Sequence, residues 1–395
     1  MEISLKIFRY QPNRKIQLST IIWFAFAAIA VILEILRGKI NNYLIYKYVF
    51  WHTLHQTNLY TYYPGEYVDL NHYGPLFSLI ILPFAMLPDW LGVLLWALAN
   101  AGVLFYAINR LPVSDKSKNL ILLISSIEMM TSIHNVQFNP MLTGWLILIF
   151  ISIHKDKTFL AGILTIAGFL IKIYGLAGIA FFPFSKNKMR FTGYLIFWLL
   201  VLFCLPMIIS SPSYILQTYL DWFHALVDKN AANVQLTSFG IDISVMGLIR
   251  RIFSLHDMPN YFVLIPASIA ILAPLLRFSQ YADNRFQLNY LAFILISIVI
   301  FSSSAESPTY IIAVTGVAIW YCQINIEKKS PETYVLLLVL ILTSLSSTDL
   351  FPRSIREHWV KPYSLKALPC FIVWIIILLQ LLLIKSEDLP KTSEL

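Results

Sequence analysis

The sequence predicts an all-α polytopic membrane protein with about ten to twelve transmembrane helices. Three observations lead there. Hydrophobic residues make up 58% of the 395 and charged residues only 13%, about half the charged share of a soluble domain. Mean hydropathy is +0.70. Apolar runs of bilayer-spanning length recur from Leu18 to Ile384.

The expected spans lie near 18–36, 90–108, 119–134, 138–153, 158–171, 174–184, 192–210, 260–276, 287–302, 309–323, 333–347 and 368–384. Several are shorter than the ~20 residues that cross a bilayer untilted. The pair flanking Lys172 could also be one broken helix. The first run follows Arg14 and Lys15 and lacks a small-residue cleavage site, so it reads as a retained span rather than a signal peptide.

Basic residues set the orientation. Lys6, Arg9, Arg14 and Lys15 precede the first span. Arg110, Lys116 and Lys118, then Lys155 and Lys157, then Lys186, Lys188 and Arg190, then Arg277 and Arg285, then Lys328 and Lys329 fill short loops, and Lys385 and Lys391 follow the last span. All fall on one side if 74–88 does not cross, which fits a cytoplasmic face. GPLFSLIILPFAMLP at 74–88 is only 15 residues long, with prolines at 75, 83 and 88. It reads as an interfacial or re-entrant helix on the outer face; the alternative is a short true span. The expected organisation is one integral membrane domain over 1–395. It has a cytoplasmic N-tail (1–17), a first outer loop with juxtamembrane helices (37–89) and a cytoplasmic tail (385–395), in a cytoplasmic (inner) membrane. Further long outer loops fall at 211–259 and 348–367.

The net charge of +8 follows from these loops, and nucleic acid is not an expected partner. Cys204, Cys322 and Cys370 stand apart from one another and from any histidine in metal-ligand spacing, so neither a disulfide framework nor a zinc site is expected. No Walker loop, dinucleotide fingerprint or HExxH motif is present.

Candidate chemistry concentrates in the outer loops. The stretch 41–56 mixes Leu44, Val49, Trp51 and Leu54 with Tyr and His at helical spacing. It fits either a helix over an amphiphile site or an aromatic belt at the interface. Glu66 and Asp69 are followed by His72 and Tyr73; a carboxylate or His here could take a proton from an acceptor hydroxyl, with plain solvation of outer-loop acids as the alternative. Glu128, an acid inside a weakly apolar span, must face protein or a water-filled cavity. Lys172 interrupts AGILTIAGFLIKIYGLAGIAFF and could pair with Glu128, snorkel or bind a phosphate. Asn135, Gln137 and Asn139 form a polar turn suited to sugar hydroxyls or to capping the next helix, with Pro140 at its first position.

The second long loop offers Asp221, His224, Asp228, Lys229, Asp242, Arg250 and Arg251. The last offers Asp349, Arg353, Arg356, Glu357, His358, Lys361 and Lys366. Basic residues on an outer face are candidates for a phosphate headgroup, with anionic lipid contact as the alternative.

INNYLIYKYVF, NLYTYYP, HYGPLFSLIILPFAMLP, NVQFNPMLTGWLIL, AGILTIAGFLIKIYGLAGI and NVQLTSFGIDISVMGLIRR occur in an order that resembles glycosyltransferase family 87, over about residues 18–320. These are multispanning enzymes of the C-type glycosyltransferase superfamily. The resemblance implies transfer of a hexose, typically mannose, from a polyprenyl-phosphate donor to a glycan or glycolipid acceptor outside the membrane. It also implies a catalytic acid early in the first outer loop. There the sequence departs: Asn42, Tyr43 and Tyr46 match the acid–aromatic–Tyr motif, and asparagine cannot act as a base. Glu66 or Asp69 would take that role. Asn42 and Tyr46 would bind substrate, as would Gln137 and Asn139, which match a Gly-Gln-x-Asn pattern without its glycine. Lys172 would hold the donor phosphate, assisted by Arg250. No cofactor is expected, although a divalent metal could assist. A flippase of lipid-linked sugars and a non-catalytic family member are the alternatives.

Overall fold

The structure is a computed structural model that describes residues 17–235, 241–324 and 330–384. The basic tails at 1–16 and 385–395 and the Lys328–Lys329 loop lie outside the described residues.

Helices account for the architecture, and no strand occurs among the described residues. α1 (Leu18–Leu36) is followed by α2 (Asn41–His55), α3 (Phe77–Ala85), α4 (Asp89–Arg110), α5 (Asp115–His134), α6 (Asn139–His154) and α7 (Thr158–Ile171). A 3-10 segment, Ile173–Phe184, precedes α8 (Lys188–Cys204), α9 (Pro212–Val234), α10 (Val245–Ile252) and α11 (Tyr261–Leu272). The chain ends through α12 (Asn284–Ile300), α13 (Tyr310–Tyr321), α14 (Pro331–Leu338) and α15 (Ala367–Leu383). Leu18–Leu36, Asp89–Arg110 and Lys188–Ile208 are long and apolar enough to cross a membrane. Most of the remaining expected spans form shorter apolar helices, from Asn139–His154 to Ala367–Leu383. α13 is buried along its whole length, and α12 over most of it. A helix that is apolar all round belongs in the centre of a bundle.

Side-chain contacts fix which end is which. Ser19 donates to Asn119 at 2.6 Å, while Glu34 meets His134 at 2.9 Å, so α1 and α5 run parallel. Arg190 reaches the Asp156 carbonyl at 3.4 Å, His154 and Gln287 lie 3.2 Å apart, and Cys322 donates to the Ser117 carbonyl at 3.5 Å. Arg277 bonds to the carbonyls of Leu381 and Ile384. The basic loops, Gln17 and Ile384 therefore share one end of the bundle.

The chain between α1 and α4 stays at the other end, where Lys47 of α2 pairs with Asp89 at the start of α4, at 2.7 Å. Pro83 lies inside α3, and nine residues rise only about 14 Å. α3 packs against α2 and α4 instead of passing through the bundle.

α7 and the Ile173–Phe184 segment form an antiparallel hairpin, not one broken helix, with Lys172 in extended conformation at the apex (φ −147°, ψ 124°). Gly168 and Gly175 allow the two backbones to touch: a Cβ on Gly175 would fall 2.1 Å from the Gly168 carbonyl carbon. α9 lies across the first loop. Its Trp222 indole donates to the His72 carbonyl at 3.0 Å, and its Tyr214 hydroxyl to the Thr57 carbonyl at 2.6 Å.

Candidate active site

A cavity of about 970 Å³ opens at the end away from the basic loops. The first loop, the Asn135–Gln137 turn, the α7 hairpin, α9, α11 and the loop between α12 and α13 surround it.

Its base is built around Lys172. The ammonium donates to Asn139 Oδ1 at 2.8 Å and stands 5.7 Å and 5.0 Å from the ring centroids of Tyr73 and Tyr174. Asn139 is itself held by donating to the Pro308 carbonyl at 3.1 Å. Tyr73 shares a 3.0 Å hydroxyl contact with Tyr46 and donates to Gln137 Oε1 at 3.4 Å. The Tyr73 loop reaches this depth because Gly74 closes against α7: its N–H donates to the Ile171 carbonyl at 3.0 Å. A Cβ there would lie 2.0 Å from the Leu170 carbonyl oxygen.

Asp69 stands on the cavity wall, in the left-handed region at φ 85°. Short polar side chains tolerate such backbone by bonding locally, and Asp69 Oδ1 accepts from the Leu70 N–H at 2.8 Å. Asn41 fixes the preceding residue from both sides, donating to the Val68 carbonyl and accepting from its N–H. Asp69 enters no ion pair among the described residues.

Glu66 sits differently. Its carboxylate lies 2.8 Å from His52 Nε2, and it does not line the cavity. Asn42 does line it, with its amide donating to the Asn135 carbonyl at 2.7 Å.

Two further expectations meet other partners. Glu128, fully buried, pairs at 2.8 Å with Lys366, not with Lys172. Lys366 also donates to Ser307 and Ser347. Arg250, 0% exposed, pairs with Asp242 at 2.8 Å and bonds to the Met258 carbonyl and Asn260. It ties α10 to the segment before α11 and stands behind the cavity wall. Arg251 is likewise engaged by Asp242, Ile241 and Ser364, and Lys361 by Glu357. Of the basic residues flagged in these loops, Lys172 and Lys229 face the cavity.

Glu306, in the short loop before α13, is the residue that sequence reasoning passed over. Burial raises its pKa; Lys229 and Lys172 oppose that rise, and Asp69 adds to it. His72 is pushed down to about 4, chiefly by burial and then by Lys229, with Asp69 opposing. Its imidazole is neutral near pH 7.

The profile of glycosyltransferase family 87 matches residues 71–303. The chain belongs to glycosyltransferase family 87. No match to an individual curated protein was found. The matched stretch carries His72, Tyr73, Gln137, Asn139, Lys172 and Lys229, whereas Asn42, Tyr46, Asp69 and Glu306 lie outside it. A family 87 member is a glycosyltransferase, which acts on a sugar donor and an acceptor.

Proposed function

We propose that this family 87 glycosyltransferase moves a mannose-like hexose from a polyprenyl-phosphate donor to a glycan or glycolipid. The proposed reaction takes place at the outer face of the cytoplasmic membrane. The observation that carries this reading is Lys172, a cation set at the base of a large cavity and in no ion pair among the described residues. A phosphate there gains a charge-assisted contact in a water-poor site. The cavity lies opposite the basic loops, which the positive-inside bias assigns to the cytoplasm. Both chain termini then lie in the cytoplasm.

Leu226 on α9, Met246 on α10 and Leu264 on α11 line one side of the cavity and give an isoprenoid chain an apolar path. In the proposed step, Asp69 accepts the proton of the acceptor hydroxyl as its oxygen attacks the anomeric carbon. The bond from that carbon to the phosphate oxygen breaks, and its electron pair leaves with the phosphate. Lys172 stabilises the charge that develops there. Asn42 donates a hydrogen bond where the family motif has an acid, so the base role passes to Asp69. Glu66 is the second candidate, held by His52. No resident cofactor is required by this scheme.

Purified protein in nanodiscs, given radiolabelled polyprenyl-phosphate mannose and a glycan mixture, tests the reading. Release of polyprenyl phosphate with label in the glycan is the expected result. Intact donor under all conditions would defeat it.

A further inference from the structure

The part of the cavity wall formed by α9, the residue before α11 and the 301–309 loop is built mostly from neutral polar groups. Asn230 near the end of α9, Asn260 before α11, Ser303, Ser304 and Glu306 all line it. Ser303 donates to Asn230 Oδ1 at 2.6 Å, and the Asn260 amide reaches the same oxygen at 3.3 Å. Asn233 donates to the Ser304 hydroxyl at 3.0 Å, so α9 and the 301–309 loop are fixed to each other by neutral groups.

This bonding leaves particular valences over. With Asn230 Oδ1 occupied, its amide nitrogen has no partner among the described residues and offers two N–H donors. Glu306 takes part in none of the ion pairs formed by the described residues; its side chain caps the Ser307–Thr309 turn by accepting from the Thr309 N–H, which leaves a carboxylate further acceptor sites on the cavity that it lines. A donor pair and a carboxylate acceptor that line one cavity suit neighbouring hydroxyls on a sugar ring, which can donate hydrogen bonds to Glu306 and accept them from Asn230. An apolar group would leave these polar atoms unsatisfied.

We infer that Glu306 and Asn230, supported by Ser303 and Asn260, form the acceptor subsite, and that the acceptor presents a saccharide with adjacent free hydroxyls. The inference rests on the proposed transfer reaction, with the donor phosphate on Lys172. A free glycan and a glycolipid headgroup carry the same hydroxyl chemistry.

Saturation-transfer NMR on the full chain in nanodiscs tests it, with methyl α-D-mannopyranoside as the saccharide probe and binding of radiolabelled polyprenyl-phosphate mannose read on the same samples. Wild type should bind both. Glu306→Gln and Asn230→Ala should each weaken the glycoside at least tenfold and leave donor binding within about twofold. Lys172→Met should do the reverse. Hexoside binding that is absent in wild type, or unchanged in both variants, overturns the subsite. If Glu306→Gln is not monodisperse, Asn230→Ala, at an exposed helical position, decides alone. If wild type binds the glycoside through these residues but no donor, the subsite stands and the donor reading falls. A mannosyl glycolipid competing far better than the free glycoside identifies a lipid-held acceptor; equal competition identifies a free glycan.

Discussion

Lys172 donates to Asn139 Oδ1 at 2.8 Å, and that bond joins two segments 33 residues apart. The apex of the α7 hairpin and the first residue of α6 meet at the base of the cavity. The ammonium forms no ion pair among the described residues. Lys172→Met should therefore reduce donor affinity rather than folding. Charge-assisted contacts are worth about 1.5–3 kcal/mol, which corresponds to roughly ten- to hundredfold weaker donor binding, read by titration of labelled donor. An unchanged donor affinity in a well-folded variant would remove the phosphate from Lys172.

Asp69→Asn should lower transfer by ~10²–10⁴-fold, the usual cost of losing a general base, with normal expression. Glu66→Gln should do less, because Glu66 points to His52. Initial rates with labelled donor compare the two. Near-normal rates in Asp69→Asn would move the base elsewhere.

The Glu128–Lys366 pair predicts stability, not catalysis. Lys366→Met leaves a buried carboxylate unpaired and should cost about 3–5 kcal/mol. The double variant with Glu128→Gln should recover most of that. Thermal unfolding of detergent-solubilised protein gives the comparison; additive losses would contradict a direct pair.

Gly74→Ala should fail to accumulate or should lose activity, since the added methyl meets the Leu170 carbonyl at 2.0 Å. Size-exclusion profiles of the expressed variant check this, and a well-behaved, active Gly74→Ala would mean that the loop can withdraw from α7.

Single cysteines at Thr61 and Lys116, both exposed, test orientation in intact cells. Thr61→Cys should react with an impermeant maleimide from outside, and Lys116→Cys only after permeabilisation. The opposite pattern would invert the topology.

Much of the helical framework was legible. Apolar runs and the basic clusters between them place α1, α4 and α8, because bilayer length and charge act on contiguous sequence. The α7 hairpin was less clear: two short runs around one lysine fit a broken helix equally well until the Gly168–Gly175 contact is known. α9 lay inside an expected loop, although Ser211 as its cap, Pro212 at its first position and apolar spacing at Leu216, Leu220, Phe223 and Val227 signalled a helix.

Asn42, Tyr46, Asp69, Gln137 and Lys172 come together at the cavity from α2, the loop that follows it, the Asn135–Gln137 turn and the α7 hairpin. Glu306 and Asn230 belong to no motif. They gain meaning only when α9 closes over the loop between α12 and α13, a tertiary relation that local pattern does not encode. Arg250 looked available as a surface cation; its role depends on Asp242, eight residues earlier but adjacent only once α10 forms.

The central claim is transfer at the cavity, and sealed vesicles of known orientation test it most directly. Radiolabelled polyprenyl-phosphate mannose is supplied on the cavity side together with a mixed glycan and glycolipid acceptor fraction. The account predicts label in the acceptor with wild type and a loss of at least a hundredfold with Asp69→Asn. Label that crosses the bilayer still attached to its polyprenyl phosphate, or that remains on the donor, would contradict it.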